Sequence, residues 1–220
     1  MFESRVICIC GLPGIGSVGK VAADCLATAL ECSTIKHFFS RGFPPQVLVF
    51  KGLTELLQVE LKAPKERANM FILSGDAQPM DVVAMYQMAG EILETIREEG
   101  VTDVITLAAY VGDTKESVMG AATDTESVAA LREKGIPPLC SGAIGGLNGL
   151  LAGLAPLHGM RGFCLLGTSS GVYPVDLWAA TNLLEAIKDL FGLSVDIPLP
   201  EQEMDVAQEA PLEEVDMNYR

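Results

Sequence analysis

The 220-residue chain has only two histidines, His37 and His158, and its six cysteines include no C-x-x-C pair. A zinc site would lack the paired ligand spacing that such sites use, so no metal is expected. No G-x-S-x-G nucleophile elbow occurs, and two histidines supply no Ser/His/Asp set. Positive charge is scarce: 15 Lys and Arg stand against 29 Asp and Glu, a net charge of −14, with a pI near 4.5. Such a surface repels phosphate backbones and anionic headgroups, so neither nucleic acid nor a membrane surface is expected as a partner, while a cationic protein patch would be attracted. Continuous apolar runs of membrane-spanning length are also missing. The uncharged stretch from Gly135 to Met160 is broken by Pro137, Pro138, Gly142, Gly145, Gly146, Asn148, Gly149, Gly153 and Pro156, and falls short of the roughly 20 apolar residues a span needs. A buried helix with glycine contact points is expected there instead. Arg5 interrupts the start and no A-x-A-like cleavage site follows an apolar segment, so no signal peptide is expected. No internal repeat is visible, which excludes solenoids.

What is present is a core. Apolar residues make up 49% of the chain and charged residues 20%, enough for one domain that needs neither disulfides nor a structural metal. Cys8, Cys10, Cys25, Cys32, Cys140 and Cys164 lie in apolar runs and read as reduced, buried thiols of a cytoplasmic protein. Short continuous apolar runs, Val6–Cys10, Met70–Leu73, Val104–Ala109 and Phe163–Leu166, have the pattern of strands buried on both faces. Helical periodicity follows several of them. Val21, Ala22, Cys25, Leu26 and Ala29 follow the first, and Val82, Met85, Tyr86, Ala89, Ile92, Leu93 and Ile96 follow the second and close at Gly100; a last helix runs from an N-cap at Asp176 to Gly192. Gln46–Phe50, Lys51-Gly52 and the alternation at Leu57, Val59 and Leu61 read as a hairpin half in water, toward an edge. The expected fold is α/β, a three-layer α/β/α sandwich with a mixed, mostly parallel sheet, forming one domain over residues 1–197.

From Pro198 the character changes. Seven acidic residues, Glu201, Glu203, Asp205, Glu209, Glu213, Glu214 and Asp216, face Arg220 alone, a balance of −6, and three prolines interrupt the segment. Residues 198–220 are expected to form a flexible acidic tail whose tip could reach on the order of 25 Å or more. The tip reads Met217-Asn218-Tyr219-Arg220, where an aromatic reappears after polar and small residues.

One loop allows three readings. Gly11-Leu12-Pro13-Gly14-Ile15-Gly16-Ser17-Val18-Gly19-Lys20 follows a buried strand and opens a helix, where backbone amides and the helix dipole favour anions. Gly14, Gly16, Ser17, Gly19 and Lys20 are therefore a candidate anion-binding loop. As a dinucleotide fingerprint, Gly14-x-Gly16-x-x-Gly19 lacks the acidic residue at the end of the next strand, which closes on Ser40-Arg41; an arginine there could suit a 2′-phosphate. As a P-loop, Gly14-x-x-x-x-Gly19-Lys20 presents Val21 where a magnesium-binding hydroxyl belongs. As architecture, the glycines serve a tight turn and close helix–sheet packing. Asp76 and Asp113, just past buried strands, are either an acid/base pair or turn and cap residues.

Six segments in order, Gly11–Lys20, Gly75–Pro79, Thr106–Tyr110, Gly142–Gly149, Gly167–Gly171 and Gly192–Asp196, resemble the proteasome assembly chaperone family, particularly its archaeal and bacterial homologues. The resemblance covers about residues 5 to 197. It implies a phosphorylase/hydrolase-like α/β/α fold, a homo-oligomer, no catalysis and no cofactor, and binding to proteasome α-subunits. In chaperone members a C-terminal hydrophobic-Tyr-X tripeptide docks between neighbouring α-subunits. Tyr219 and Arg220 match its last two positions; Asn218 departs from the hydrophobic one, with Met217 one place earlier. The alternative function is a nucleotide- or phosphate-binding α/β enzyme using the Gly14–Gly19 loop.

Overall fold

Alternate side chains of β1 (Ile7–Gly11) enter two different cores: Ile7 and Ile9 one, Cys8 and Cys10 the other. That is the period of two expected of a strand covered on both faces. The computed structural model describes residues 5–65, 69–194 and 196–197. Beside β1 lie β6 (Met70–Gly75) and β7 (Asp103–Tyr110), and beyond β7 lies β9 (Arg161–Thr168), all parallel. Each was legible as an uninterrupted apolar run. Antiparallel strands finish both sides, β5 (Val59–Pro64) and β2 (Cys32–Phe38) on one, β8 (Val118–Ala122) on the other, giving the order β2-β5-β6-β1-β7-β9-β8.

Helices cover both faces. On one, α1 (Val18–Ala29), α3 (Thr125–Glu133) and α5 (Leu177–Phe191) share a core with Ile9, Ile72, Leu107 and Leu165. On the other, α2 (Val82–Glu98) and α4 (Gly146–Leu154) pack with Cys10, Leu73 and Val104. The three-layer sandwich with a mixed, mostly parallel sheet is thus as the sequence predicts, and Asp176 caps α5 by accepting from the Ala179 amide at 3.0 Å. The glycine-rich stretch yields only the short α4 and a 3-10 turn at Ala155–His158, because Pro156 sits in that turn's first positions. Among the described residues no helix is long and apolar enough to cross a membrane.

The hairpin reading needs correction. β3 (Val47–Phe50) pairs with β4 (Leu53–Leu56), not with the alternating segment, and the two form a separate two-stranded sheet. Leu57, Val59 and Leu61 are buried in the main sheet or at its end. Asp76 makes the switch: its Oδ2 accepts from the Gln58 amide at 3.1 Å and its own amide donates to the Gln58 carbonyl at 2.9 Å. Those bonds hold the chain against the end of β6 just before β5 begins.

β8 and α3 were not anticipated. Gly120, Ala121 and Ala122 carry little strand signal, and α3 has one fully apolar stripe position buried, Leu131, with Ser127. Its start is fixed by Asp124, whose carboxylate accepts from the Ser127 amide and hydroxyl, both at 2.8 Å. Those bonds hold the Asp124 pKa below its ordinary 3.8. A carboxyl with a lowered folded pKa contributes fully above its unfolded pKa, and the contribution disappears as pH falls through the folded value. Asp124→Ala should therefore cost about 1 kcal/mol in urea unfolding at pH 7, with the difference from wild type narrowing as the pH falls below 3.8.

Candidate functional site

The turn after β1 is built by close packing. A Cβ on Gly19 would lie 2.0 Å from the Leu107 carbonyl oxygen, and one on Gly11 would lie 2.0 Å from the Gly19 carbonyl. The first turn of α1 therefore rests on the backbones of β1 and β7 with no side chain between them. Gly16 takes φ 58°, with Ser17 at 48°, a left-handed bend that glycine adopts freely. The Gly16 carbonyl accepts from the Asp176 amide at 2.8 Å. Asp176 is itself buried and accepts from the Ser169 hydroxyl at 2.7 Å, so the turn is tied to the start of α5.

Two carboxamides lock the other side. Asn148 on α4 accepts from the Leu12 amide at 3.2 Å and donates to the Leu12 carbonyl at 3.1 Å. Gln78 donates to the Pro13 carbonyl, and its Oε1 accepts from the Leu147 amide at 2.6 Å. Each uses both its donor and its acceptor to join the β1 turn to the N-terminus of α4. Neither role was foreseen; the available signal was a lone asparagine inside an otherwise apolar, uncharged stretch, a buried amide that must find partners.

Between these walls lies a cleft of about 490 Å³, lined by Leu12, Gly14, Ile15, Tyr110, the loop 142–146 and the two carboxamides. It sits at the carboxyl ends of β1 and β7, the edge at which α/β sheets hold ligands. None of its lining residues is charged. Of the candidate loop, Gly14 is exposed at the cleft, Gly16 and Gly19 are spent on backbone geometry, and Ser17 makes no capping bond. Lys20 runs along α1 to Asp24, Nζ to Oδ2 2.7 Å, rather than back over the loop as a phosphate-binding lysine does. The strand following α1 in sequence, β2, is at the far edge, three places from β1 and antiparallel to its neighbour. Ser40-Arg41 is thus at the end of an edge strand, and the carboxylate at the end of the strand beside β1 is Asp76, engaged by Gln58. Asp113 is exposed beyond β7, and neither it nor Asp76 lines the cleft.

The remaining reactive groups are placed elsewhere. His37 lies on β2 with Nδ1 3.0 Å from Gln58 Oε1, and among the described residues no group of three or more His, Cys, Asp or Glu is placed to hold a metal. Cys8 and Cys10 thiols lie 3.6 Å apart and buried; the bond to Cys8 and then burial push the Cys10 thiol well up, and burial raises Cys32 to about 11. Protonated thiols are poor nucleophiles. Cys140, expected to be buried, is exposed. Ile15 and Val111, both exposed, line the cleft, and Val172, Tyr173, Val175 and the only tryptophan, Trp178, which is 65% exposed, follow β9 into the start of α5. The residues Met217, Asn218, Tyr219 and Arg220 lie outside the described residues.

This architecture, a mixed sheet covered by helices on both faces, is the fold of archaeal and bacterial proteasome assembly chaperone homologues. The chain belongs to the PAC2 family, whose pattern matches residues 8–211. PbaB of Pyrococcus furiosus, an archaeal proteasome activator, is similar at 32% identity and a TM-score of 0.78, covering 88% of this chain and 86% of its own. PbaA of the same organism, an archaeal homologue of proteasome-assembly chaperone, is similar at 28% identity and a TM-score of 0.75, over 88% of this chain and 80% of its own. An uncharacterized protein of Methanocaldococcus jannaschii, MJ1210, is 35% identical over 192 residues, 85% of this chain and 74% of the relative.

Two predictions follow from the packing and the charge of this site. Gly19→Ala should lower stability by about 3 kcal/mol, whereas Gly14→Ala, whose Cβ would meet nothing nearer than 3.9 Å, should stay within about 0.5 kcal/mol; urea unfolding midpoints distinguish them. ATP or NADPH at millimolar concentration should leave the melting temperature unchanged, since a ligand at 100 times its Kd would add about 2.7 kcal/mol and raise it visibly.

Proposed function

We propose that this protein is a non-catalytic, homo-oligomeric chaperone-like factor that binds proteasome α-subunits, with its acidic C-terminal segment docking between neighbouring subunits. The observation that carries this reading is the likeness to PbaB and PbaA, proteins described as an archaeal proteasome activator and a homologue of proteasome-assembly chaperone, together with the family match over residues 8–211. The chemistry of the site supports it. Of the two candidate carboxylates, Asp76 is committed to the Gln58 backbone and Asp113 is exposed outside the cleft. Lys20 is paired with Asp24.

A binding protein needs contact area rather than poised groups. Tyr219 supplies a rigid amphipathic anchor at low entropy cost, and the Arg220 carboxylate can pair with a lysine in a pocket between subunits. Asn218 replaces the hydrophobic residue of the tripeptide, so Met217 is the apolar group nearest the tyrosine. Several copies of the segment on one oligomer make each later docking event effectively intramolecular. The −6 charge of residues 198–220 speeds encounter with a cationic patch and makes it salt-dependent.

Deleting Tyr219 and Arg220 should weaken capture of α-subunits at least tenfold at low salt, an anchor loss of about 1.4 kcal/mol or more, while sedimentation shows the same assembly. Unchanged affinity in the truncated protein would refute docking by the tip.

A further inference from the structure

Every residue of β3 and β4 is exposed, although six of the eight are apolar. The register pairs Val47 with Leu56 and Val49 with Thr54 on one face, and Leu48 with Glu55 and Phe50 with Leu53 on the other. A hairpin at the surface of a finished monomer has one polar face. This one has apolar residues on both, with Val49 and Phe50 each 65% and Leu53 70% exposed. Among the described residues it has no third strand, and a lone two-stranded hairpin is at best marginally stable in water. Its tip is nevertheless a tight turn, with Lys51 at φ 50° and Gly52 at φ 82°, the left-handed pair of a type I′ turn that preforms the arm.

We propose that this hairpin is an association arm covered by a second copy of the same chain, which receives it on the groove at the hairpin's foot and the first turns of α2. The inference deepens the homo-oligomeric reading given above and rests on it. The receiving surface is built from the same edge of the molecule. A groove of about 480 Å³ lies at the foot of the arm, lined by Phe39, Phe43, Pro44, Pro45, Leu56 and Leu57. It continues into α2, because the Met80 amide donates to the Gly42 carbonyl at 2.8 Å and Gly42 abuts Ala84. There Met80, Val82, Val83 and Tyr86 are between 51% and 70% exposed. An apolar arm beside an apolar receiver is self-complementary, the condition for a closed two-fold contact in which each copy gives and receives.

Charge selects the occupant. From Cys32 to Thr54 the chain has no Asp or Glu and carries Lys36, Arg41 and Lys51. The molecule as a whole is at −14, so the rest of it stands at −17. The arm itself carries Lys51 at its tip against Glu55 on β4, so it adds no net negative charge to a contact between two acidic bodies, and its tip is cationic. On α2 itself, three- and four-residue spacing puts Val83, Gln87, Glu91 and Glu94 on one side of the helix, and all four are exposed. The helix face is apolar at its start and acidic beyond, matching apolar strands that end at Lys51. A hairpin that depends on cover must also find it as soon as the chain folds, and another copy is the partner always present.

The test is the mass of the full chain in solution, by sedimentation, for the wild type and for Val49→Asp with Leu53→Asp, one change on each face. The wild type is expected to be an oligomer and the variant to associate on the order of 30-fold more weakly, with the far-ultraviolet spectrum kept. Trp178→Ser, away from the arm, should leave the mass alone. An oligomer that the double variant does not weaken overturns the arm but leaves the homo-oligomer standing; a wild-type monomer overturns both. If the variant keeps its mass and instead loses α-subunit capture, the arm belongs to that partner and the proposal fails. Should the variant misfold, zero-length cross-linking of a mixture of unlabelled and ¹⁵N-labelled wild-type chains decides: mixed-isotope links from Lys51 support the arm, and links within one chain alone refute it.

Discussion

The first turn of α1 lies directly on the backbones of β1 and β7, and most of the carboxyl edge depends on that contact. At Gly11 and Gly19 there is no room for even a methyl group. With the helix start fixed there, the Gly16 bend places its carbonyl for the Asp176 amide, which sets the beginning of α5. Gln78 and Asn148 then fasten the same turn to α4, on the opposite face of the sheet. Buried carboxamides of this kind stabilise only when every group is paired, and they fix one arrangement of the surrounding chain. A glycine-rich strand-to-helix turn has two uses, cradling an anion or letting elements touch. Here touching uses up Gly16 and Gly19, and the cleft they help form carries no charged wall.

The surface is divided by the same logic. The sheet is covered so fully that all of β1 and β6, the first five residues of β7 and all but the two end residues of β9 are buried. Asp103, fully buried in the core, is paired: it meets Arg161 at the start of β9 and Arg5 just before β1. Apolar side chains left outside are not scattered singly, as they are on an ordinary surface. Most fall on the β3–β4 hairpin with the segments at its foot and the start of α2, and on the loops after β1, β7 and β9 with Trp178 at the start of α5; Ile35 and Leu157 lie outside both groups.

Legibility in the sequence followed burial. The four parallel strands are readable because two covered faces demand unbroken apolar runs, and α2 and α5 because a three-layer sandwich demands a 3.6-residue stripe, closed at Gly100 in the one and capped at Asp176 in the other. The anion-loop, dinucleotide and P-loop alternatives share one glycine pattern, and what bears on them is placement that only the folded chain shows: Leu107 above Gly19, Asp24 on Lys20, and β2 at the far edge. The hairpin was found but given the wrong partner. A period of two runs through both β4 and β5, and what divides them is Asp76, eighteen residues beyond Gln58. α3 escaped because it rests on a cap and one leucine rather than on a stripe.

The two edges of the sheet carry different parts of the chain. β2 ends and β5 begins at the carboxyl edge, since Phe38 pairs with Val59 and Val59 with Gly75 at the end of β6, so the hairpin between them projects from that edge together with the start of α2. α5 starts at the same edge, beside Gly16, and its fifteen residues carry the chain back roughly 22 Å. Leu193 is buried there and Ile197 packs against the α1–α5 core. The segment that follows is therefore rooted at the amino edge, across the sheet from the hairpin. Two copies joined through their arms would leave both roots uncovered, and a partner held by Tyr219 would not compete with self-association. An assembly that presents several tips at once needs this separation, because a tip rooted within the joined face would be lost to the contact that multiplies it.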